Sequence, residues 1–548
     1  MLFSRLASST GSQCLRTFSC SSSVQMIKPV EKKSTKLWGG RFSKDVDPLV
    51  FGWTDSMDVD TRMINQNLWG SMAHVTMLGQ QGIIPPSAAS GILAHLLKLQ
   101  NDWAAGQWTT EPDQDDIQMT VERKLIDALG MDVGGRMHTC RSRNDQVPLD
   151  SKLWTRDALL KLRQKTIVSA EAFLKKAKNH LNDVMVCYTH VQQAQPVSVA
   201  FWLSHYAAHL VRDLDRLKAA YDITDMNVLG AGAIAGTSFP IDRALTSQLL
   251  GFQRVHLHAL DATSSRDFML EVLNANAVLQ LTFSRLAEEL IMWSSWEFRT
   301  ITLDDGFAMG SSMMPQKKNP GPLELMRGRA GRMTGYAMAG MTLMKGLPSG
   351  YNRDFHEEKE LLVASLELIL RAVEVIPPLI QSTTLNLDRM REVSVGNFAN
   401  ATELANYLVA RHKMPFRHAH DVVGTLVGTL SRAGKNFATD PATCLAHIKS
   451  HVDAPDQEIL DILDPAKVAA SYNSPGGTGT KATADTIAQI QAGLAAHAAT
   501  LSADSARVSS GYEACREIAS QAHHFKDAND IARIVKAVSS KHKLLSPQ

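Results

Sequence analysis

Residues 310–347 read GSSMMPQKKNPGPLELMRGRAGRMTGYAMAGMTLMKGL and join a polar loop to a long helical pattern. Gly and Pro punctuate the part that ends at Pro322, so that part cannot be helical. From about Pro322 to Leu347 the apolar residues have helical spacing. Glycines recur among Ala and Met in this helix, at Gly328, Gly331, Gly335 and Gly340. Because small residues let backbones approach closely, the stretch predicts a helix that packs among other helices.

The same helical pattern recurs in other long windows that contain few or no Gly or Pro. These windows run from about Leu149 to Leu181, from Pro196 to Tyr221, from Ser264 to about Phe298, and from about Glu357 to Ile380. Helices of about 25–35 residues exceed the usual length and need partners along their whole length. They predict an all-α protein with an elongated helical bundle that is shared between subunits. No alternation of strands with helices indicates a βαβ fold.

Helix-boundary signals set three further expectations. Pro196 is expected in the first turn of its helix, where a missing N–H costs nothing. Ser264 is expected to begin its helix, with Asp267 at capping-box distance. Pro377 and Pro378 are expected to bend or end the last window, because proline lacks the N–H that a helix interior needs.

Composition excludes several classes of protein. The 548 residues are 44% hydrophobic and 20% charged, which is typical of a globular chain of several domains. No uninterrupted apolar stretch is long enough to span a membrane, and a net charge of +2 gives no basis for nucleic-acid binding. The six cysteines form no CxxC pair, and no acidic ligand stands at a useful spacing from His205 and His209. Neither a disulfide scaffold nor a metal site is therefore predicted.

The first 36 residues differ in composition from the rest of the chain. The stretch from Met1 to Val30 lacks Asp and Glu, is rich in Ser, and carries Arg5, Arg16 and Lys28. Such an acid-poor leader without a long apolar region is typical of a transit peptide. Residues 1–36 therefore predict that the protein is located in an organelle, with the mitochondrial matrix as the first choice and the plastid stroma as the second. The cytosol is the alternative, in which case these residues are a tail without an address.

Polar residues concentrate where the helical windows break. The segment His138-Thr-Cys-Arg-Ser-Arg-Asn-Asp-Gln146 places two arginines at the start of a long helix, whose backbone N–H groups also favour an anion. It predicts a receptor for a carboxylate. The segment Tyr188-Thr-His-Val-Gln-Gln-Ala-Gln-Pro196 is a second polar cluster. Its residues alone leave open whether His190 is structural or catalytic.

Two further segments carry candidate chemistry. The loop that ends at Pro322 crowds Ser, Lys and Asn between Gly and Pro. Loops of this kind can close over a site and bring a lysine to a charge that develops only during reaction, whereas a solvated basic loop is the alternative. The segment Tyr351-Asn-Arg-Asp-Phe-His-Glu-Glu-Lys359 opens another helix with polar groups of both signs.

The motif Gly-Ser-Ser-x-Met-Pro-x-Lys-x-Asn-Pro, which begins at Gly310, resembles the signature loop of the fumarase/aspartase superfamily. Within it, Gln316-Lys317-Lys318 resembles the argininosuccinate lyase and δ-crystallin branch. Further motifs match that branch in order: Leu37–Phe42, the His138 segment, Tyr188–His190, Asp261–Phe268 and Gly346–Asn352. The resemblance covers most of the chain, to about Thr500.

The resemblance implies a three-domain, all-α fold whose long central helical bundle forms the core of a homotetramer. Each active site is then built from three chains. The implied domains are 37–148 (N-terminal), 149–390 (central bundle) and 391–501 (C-terminal). Residues 502–548 have no counterpart in the core family and are expected to be a mixed, polar tail of unknown role.

The family's reaction is the cleavage of argininosuccinate, a small-molecule substrate, into arginine and fumarate, without a metal or organic cofactor. It completes arginine biosynthesis or serves the urea cycle. The resemblance implies that Ser311 is the base, while Lys317 and Asn319 hold the carboxylate. His190 then acts on the leaving nitrogen and Glu324 orients and charges it, although the division of proton transfers between Ser311 and His190 is open.

Further family contacts map onto residues that bind the substrate. They are Ser56, Arg143, Asn144, Thr189, Tyr351 and Lys359, with Arg266 as an additional expected anion contact. Two positions depart from the family pattern, because Cys140 replaces a Gly and His356 replaces a Gln. His356 is expected to face the arginine moiety and to repel it once protonated, as the pH falls through about 6.5.

Two other functions remain as alternatives. One is a different superfamily lyase, such as adenylosuccinate lyase. The other is a catalytically silent, crystallin-like structural protein, against which the presence of Ser311, His190, Lys317 and Glu324 argues.

Overall fold

The structure is a computed structural model that describes residues 46–109 and 116–547. The predicted leader 1–36 and the motif Leu37–Phe42 lie outside the described residues. The chain divides into two compact units, residues 1–54 and 55–548. In the first unit the described residues form the helix Pro48–Thr54. The second unit contains the other described helices and strands.

The N-terminal part of this unit is a layer of helices that precedes the bundle. Its α-helices are Met57–Asp60, Ile64–Gln80, Pro86–Ala104, Ile117–Leu129 and Met131–Gly134, with 3-10 turns at Thr61–Met63 and Gly135–His138. Apolar residues at helical spacing, such as Leu68, Met72 and Val75, are fully buried between these helices.

Five long helices form the central bundle and share one hydrophobic core. They are Arg143–Ala177, Val199–Thr224, Asp267–Ser294, Gly321–Met344 and Glu357–Ser382. A side-chain contact shows that two neighbouring helices, Val199–Thr224 and Asp267–Ser294, are antiparallel. Trp202, near the start of its helix, donates from Nε1 to Glu289, near the end of another, at 2.7 Å. The prediction of an all-α bundle is confirmed.

The bundle has two ends, which we name by the helices that begin there. At the Arg143 end, the helices Arg143–Ala177, Asp267–Ser294 and Glu357–Ser382 begin, and Arg266 is ion-paired with Glu358. At the Gly321 end, the helices Val199–Thr224 and Gly321–Met344 begin. A helix of 26 residues, such as Val199–Thr224, is about 39 Å long, so the two ends are far apart.

Short segments of strand interrupt the helices. Val184–Thr189 pairs antiparallel with Gln192–Ser198 as a hairpin at the Gly321 end. The two-residue strands pair as Met226–Asn227 with Arg254–Val255, Ile301–Thr302 with Thr384–Leu385, and Met309–Gly310 with Lys318–Asn319.

The expected position of Pro196 is wrong. It lies in the second strand of the hairpin, opposite Val186, rather than in a helical turn. The helix begins at Val199 because Ser198 caps it, its Oγ accepting a hydrogen bond from the Phe201 amide at 3.1 Å.

Ser264 does not begin the long helix that was expected there. It ends the short helix Ala259–Ser264, and its Oγ donates to the Leu260 carbonyl at 2.6 Å. The long helix begins at Asp267, after Arg266. The Ser264 hydroxyl is therefore hydrogen-bonded within the short helix that it ends, and it does not cap the long helix.

Pro377 and Pro378 do not end their helix, which continues to Ser382. Proline at 377 leaves the carbonyl of Val373 without its usual helical donor. Ser169 on the neighbouring helix donates from its Oγ to that carbonyl at 3.2 Å. A partner helix thus supplies the hydrogen bond that the proline removes.

The remaining helices surround the bundle or follow it in the chain. They are Arg243–Leu250, Ala259–Ser264, Leu387–Gly396, Ala401–His412, Phe416–Arg432, Pro441–Lys449, Asp456–Leu463, Pro465–Ser471, Thr480–Ser520 and Ala528–Lys541, with 3-10 turns at Asp305–Phe307, Arg353–His356 and Ala522–His524. Residues between Leu404 and Leu463 bury a small core of their own. Among the described residues no helix combines the length and apolarity that crossing a membrane requires.

The residues after 501 are mostly helical. A 41-residue helix, Thr480–Ser520, runs through that boundary, and Ala528–Lys541 follows it. Ile531, Ile534 and Val538 recur at helical spacing and are buried against the N-terminal helices. This periodicity was the signal in the sequence that residues 502–548 fold onto the body of the protein.

Candidate active site

The signature loop lies at the Gly321 end. The strands Met309–Gly310 and Lys318–Asn319 pair and close an exposed loop between them. Ser311 Oγ accepts hydrogen bonds from the backbone amides of Met314 at 3.0 Å and Met313 at 3.3 Å. Two amide donors stabilise negative charge on an oxygen, so the loop favours the deprotonated form of this hydroxyl.

The two lysines of the loop have different surroundings. Lys318 donates from Nζ to the Leu303 carbonyl at 3.0 Å and forms an ion pair with Asp305 at 2.6 Å, which ties down the base of the loop. Lys317 is exposed within the loop, directly before the strand Lys318–Asn319. Lys317 is therefore the lysine that a ligand above the loop would meet.

Glu324 and His190 lie at the same end of the bundle. Glu324 is exposed in the first turn of the helix Gly321–Met344. His190 and Val191 form the two-residue turn of the hairpin, with φ of 55° and 58°. Positive φ is strained for both residues, and such strain persists only where the surrounding structure imposes it. The exposed Thr189 precedes this turn at the end of its strand.

Ser56 and Lys359 lie together at the Arg143 end. Lys359 donates from Nζ to Ser56 Oγ at 3.1 Å, and its ammonium is ion-paired with Asp60. Ser56 Oγ in turn donates to the other carboxylate oxygen of Asp60 at 3.0 Å. Asp60 is buried and fixes both predicted substrate contacts. Sequence reasoning missed it, although an acid one helical turn after Ser56 was a visible signal.

The His138 segment opens a long helix as predicted. Arg143 lies between Asp116, at 3.5 Å, and Glu122, at 3.3 Å, while Asn144 donates from its side chain to the Ala233 carbonyl at 3.1 Å. The Arg143 guanidinium is therefore held by acids that a substrate carboxylate would have to replace.

A glycine-rich loop packs on the start of this helix and was missed in the sequence. Asp145 forms a capping box with Ser142 and accepts hydrogen bonds from the amides of Gly230 at 3.0 Å and Gly232 at 2.9 Å. Burial raises the pKa of Asp145 to about 6. The repeated glycines were the signal, because Gly230 and Gly232 have positive φ that other residues rarely adopt.

Cys140 lies in the left-handed region, with φ of 65°. The family pattern has Gly at this position, and the backbone explains why, since glycine adopts this conformation without strain. Burial raises the pKa of the Cys140 thiol, and a hydrogen bond with Thr237 opposes that rise. The thiol is protonated as a result.

Tyr351 precedes a short 3-10 turn, Arg353–His356, whose last residue is His356, and the helix that carries Lys359 follows directly. Burial and the nearby Glu358 carboxylate raise the pKa of Tyr351 to about 12. Burial, followed by the charges of Lys359 and Arg353, lowers the pKa of His356 to about 4. The expectation that His356 gains charge near pH 6.5 is therefore wrong, and its imidazole is neutral at physiological pH.

Arg266 does not face a ligand. Its side chain is fully buried, donates from Nη1 to the carbonyls of Thr263 at 3.3 Å and Ser265 at 2.8 Å, and is ion-paired with the buried Glu358. The expected anion contact is contradicted because the guanidinium is fully buried, although its Nη2 has no hydrogen-bond partner among the described residues.

One chain does not bring all the predicted residues together. The Gly321 end carries Thr189, His190, Ser311, Lys317, Asn319 and Glu324. The Arg143 end carries Ser56, Arg143, Asn144, Tyr351, His356 and Lys359. The helix Asp267–Ser294 joins the two ends. Glu358 contacts its start through Arg266, whereas Arg327 contacts its residue Glu288, and about 30 Å of helix separates these points.

Metal ligands are not grouped in the part of the chain that the structure describes, where no set of three or more His, Cys, Asp or Glu side chains is placed to hold an ion. His205 and His209 are neighbours, with ring centroids 4.5 Å apart. Burial lowers the pKa of both imidazoles, and the charges of the nearby Arg212 and Arg285 lower it further and disfavour a cation there.

Comparison with known sequences gives consistent matches. A family model described as lyase matches residues 40–335, and one described as argininosuccinate lyase C-terminal matches residues 398–470. An argininosuccinate lyase of Geobacillus thermodenitrificans is 41% identical over 456 residues, which cover 83% of this chain and 98% of that protein. One from Symbiobacterium thermophilum is 42% identical over 444 residues, covering 81% and 95%.

Solved structures share the fold. An EDDS lyase in complex with formate superimposes with a TM-score of 0.74 at 26% identity, covering 88% of this chain and 93% of that one. A class II fumarase from Schistosoma mansoni gives a TM-score of 0.62 at 17% identity, covering 74% and 90%. The second likeness concerns the fold alone, and it places the central bundle among the fumarase/aspartase-type folds.

Proposed function

This chain belongs to the argininosuccinate lyase family, and we propose how its residues carry out the family's reaction. Its function is that of a carbon–nitrogen lyase, the reversible β-elimination of argininosuccinate to arginine and fumarate. The bond between the succinyl carbon and the guanidino nitrogen breaks, and a proton leaves the neighbouring carbon. The observation that carries the assignment of roles is the pair of amide hydrogen bonds to Ser311 Oγ.

Ser311 removes the proton in this proposal. That proton is weakly acidic because it lies next to a carboxylate, and its removal leaves a dianionic aci-carboxylate. Lys317 and Asn319 hold this carboxylate, so that fixed positive charge and a side-chain amide meet the charge as it develops. The amides of Met313 and Met314 favour the alkoxide that the step requires.

His190 and Glu324 serve the leaving nitrogen. His190 supplies a proton to the departing guanidino group, through water, and Glu324 orients and charges the imidazole. Their exposed positions at the same end of the bundle support this pairing, as does the strained turn that presents His190. The roles of Ser311 and His190 as base and acid exchange when the reaction runs backwards.

The residues at the Arg143 end hold the rest of the substrate. Arg143 and Asn144, with Thr189 from the other end, bind carboxylates of the succinyl part. Ser56, Tyr351, His356 and Lys359 hold the arginine moiety. The hydrogen bonds that join Ser56 and Lys359 through Asp60 support a preformed pocket for this end.

Each site draws on more than one chain of a homotetramer in this proposal. The separation of about 30 Å between the two residue sets requires a second copy that places its Gly321 end beside the Arg143 end of the first. The helix Gly321–Met344 supports this arrangement, because its apolar side chains Leu325, Met338 and Met341 are largely exposed. Gly328, Gly331 and Gly335 face open space on the same helix, where another helix can approach closely.

Residues 1–36 direct the protein to an organelle, with the mitochondrial matrix first. The acid-poor composition supports this proposal, as does a family match that begins only at residue 40. Fusion of residues 1–36 to a fluorescent protein tests it, and a matched fusion with Arg5 and Arg16 changed to Glu is the control. Cytosolic fluorescence from both fusions would contradict the proposal.

The pathway and the domain boundaries remain proposals of the same kind. The reaction serves as the last step of arginine biosynthesis or in the urea cycle. The domains are 37–148, 149–390 and 391–501. Apolar side chains of residues 502–548 pack into the core of the first of these domains.

Two measurements test the proposed function. Protein from residue 37 onwards is expected to release fumarate, followed by its ultraviolet absorbance, from argininosuccinate and not from adenylosuccinate. Ser311→Ala and Lys359→Met variants are each expected to be inactive, and to regain partial activity when unfolded and refolded together, because mixed tetramers contain sites with both native residues. Inactive mixtures would contradict shared sites, and no fumarate release from the unaltered protein would contradict the function.

A further inference from the structure

Arg266 contacts the inner side of the segment that carries Tyr351, His356 and Lys359. Its guanidinium carbon lies 4.3 Å from the ring centroid of Phe355, and its charge is paired with Glu358. Phe355 is 1% exposed and Glu358 is fully buried. One cation therefore holds two points of this short segment.

The spacing of these two points leaves His356 and Lys359 outside the face that Arg266 anchors, and Lys359 is itself held by Asp60. Phe355 and Glu358 are three residues apart and share one face of the turn that opens the helix. His356 and Lys359 have the same spacing and share the adjacent face. Anchoring the first pair to Arg266 sets the direction in which the second pair projects.

Tyr351 is coupled to the same anchor. Its ring lies edge-on to Phe355, with centroids 5.8 Å apart and planes at 71°. Arg266 itself is fixed by the carbonyls of Thr263 and Ser265, which end the preceding short helix. Arg266 thus connects the end of the short helix Ala259–Ser264 to the proposed pocket for the arginine moiety.

We propose that Arg266 is a positioning residue that sets the affinity of this pocket for the arginine half of the substrate through Phe355 and Glu358. This inference rests on the proposed function of Tyr351, His356 and Lys359. It replaces a direct anion contact, which the burial of Arg266 excludes. The fumarate half is bound by Arg143 and Asn144, which lie on a different helix, and by residues at the Gly321 end of a neighbouring copy, so its binding does not depend on this anchor.

Product inhibition separates this role from a merely structural one. Arginine and fumarate each inhibit the forward reaction by occupying their own half of the site. In Arg266→Gln the inhibition constant of arginine and the KM for argininosuccinate are expected to rise by roughly tenfold, because binding shared by ground state and transition state is lost. The inhibition constant of fumarate is expected to stay within about twofold and kcat to fall far less than KM rises.

Three further variants make the test decisive. Phe355→Leu removes the ring without removing the ion pair, and should shift the arginine constant in the same direction even where Arg266→Gln folds poorly. Arg266→Lys keeps the charge and should recover part of the loss. Arg163→Gln is the matched control, because Arg163 is also fully buried and ion-paired, with Asp504 at 2.8 Å, but lies deep along its helix from Arg143.

The outcomes distinguish the inference from the function on which it rests. Arginine constants that are unchanged in both Arg266→Gln and Phe355→Leu would overturn the inference. Equal shifts for arginine and fumarate, or an equal shift in Arg163→Gln, would also overturn it and indicate a general loss of structure. Absence of arginine inhibition in the unaltered protein would instead contradict the proposed function of the pocket.

Discussion

Ser311 Oγ accepts a hydrogen bond from the Met314 amide at 3.0 Å inside the exposed loop at the Gly321 end. The loop therefore supplies part of the stabilisation that an alkoxide needs before any substrate or second copy is present. We expect the other contributions, from Lys317 and from neighbouring chains, to be made when the loop closes over the substrate.

Ser311→Ala is expected to lower kcat by several orders of magnitude while leaving argininosuccinate binding largely intact. An interaction made only in the transition state affects turnover without a matching loss of ground-state affinity. Steady-state kinetics together with calorimetric binding of the substrate measure both quantities. Ser312→Ala is the matched control and should retain turnover. Near-normal turnover in Ser311→Ala would assign the base elsewhere, with His190 as the first candidate.

Between pH 8 and 6, the KM for argininosuccinate is expected to show no change that arises from titration of His356. Burial and two cations lower the pKa of His356 to about 4, from an ordinary value of about 6.5, so the imidazole stays neutral over this range. Below about pH 5 the imidazolium begins to form beside the substrate guanidinium, and the KM should rise. His356→Gln should remove that rise. The prediction would be contradicted if the KM of the native protein rose between pH 7 and 6 while that of His356→Gln stayed constant. Such a result would show that the pKa of His356 is not lowered.

Cys140→Gly is expected to stabilise the protein by roughly 0.5 to 1 kcal/mol, because φ of 65° costs a residue with a Cβ more than it costs glycine. The gain is limited by the greater freedom of glycine in the unfolded chain. Urea unfolding measures it. Cys187→Gly is the control. Cys187 lies in a strand beside a shift in register but without a positive φ, so its replacement should destabilise the protein. A lower unfolding midpoint for Cys140→Gly would contradict the argument from backbone strain.

Several features of the fold followed from the sequence because they depend on local pattern. The helix Gly321–Met344 and the polar loop before it are visible in Gly, Pro and apolar spacing. The hairpin around His190 was not, because Pro196 and the polar residues before it resemble a helix start, and only pairing with Val184–Thr189 decides the outcome. The composition of one strand does not reveal that it pairs with the strand before it.

The candidate site, like the fold, was only partly predictable from the sequence. The motifs identified the residue types, but burial decides what each side chain does, and burial is a property of the folded chain. Arg266 is matched to a partner 92 positions away in the sequence, Glu358, which no local pattern reveals. The lowered pKa of His356 likewise depends on burial that its own segment does not encode.

Residues 502–548 are expected to stabilise the protein through buried ion pairs with the bundle. Arg163 is fully buried and is paired with Asp504 at 2.8 Å, while Arg507 contacts Asp225 at 2.7 Å. Removing one partner leaves a charge buried without compensation, so Asp504→Ala should lower the free energy of unfolding by about 3 kcal/mol.

Denaturant unfolding measures this loss, and the same helix provides a matched control. Asp485 forms an ion pair with Lys481 in which both side chains are largely exposed, so Asp485→Ala should change stability by less than about 0.5 kcal/mol. The contrast arises from burial alone, because both substitutions remove an aspartate from one helix, Thr480–Ser520. Equal unfolding midpoints for the two variants would mean that the C-terminal segment does not brace the bundle through Asp504. Truncation after Ser502 also removes the buried Ile531, Ile534 and Val538, so its unfolding midpoint should fall below that of Asp504→Ala whichever result the two substitutions give.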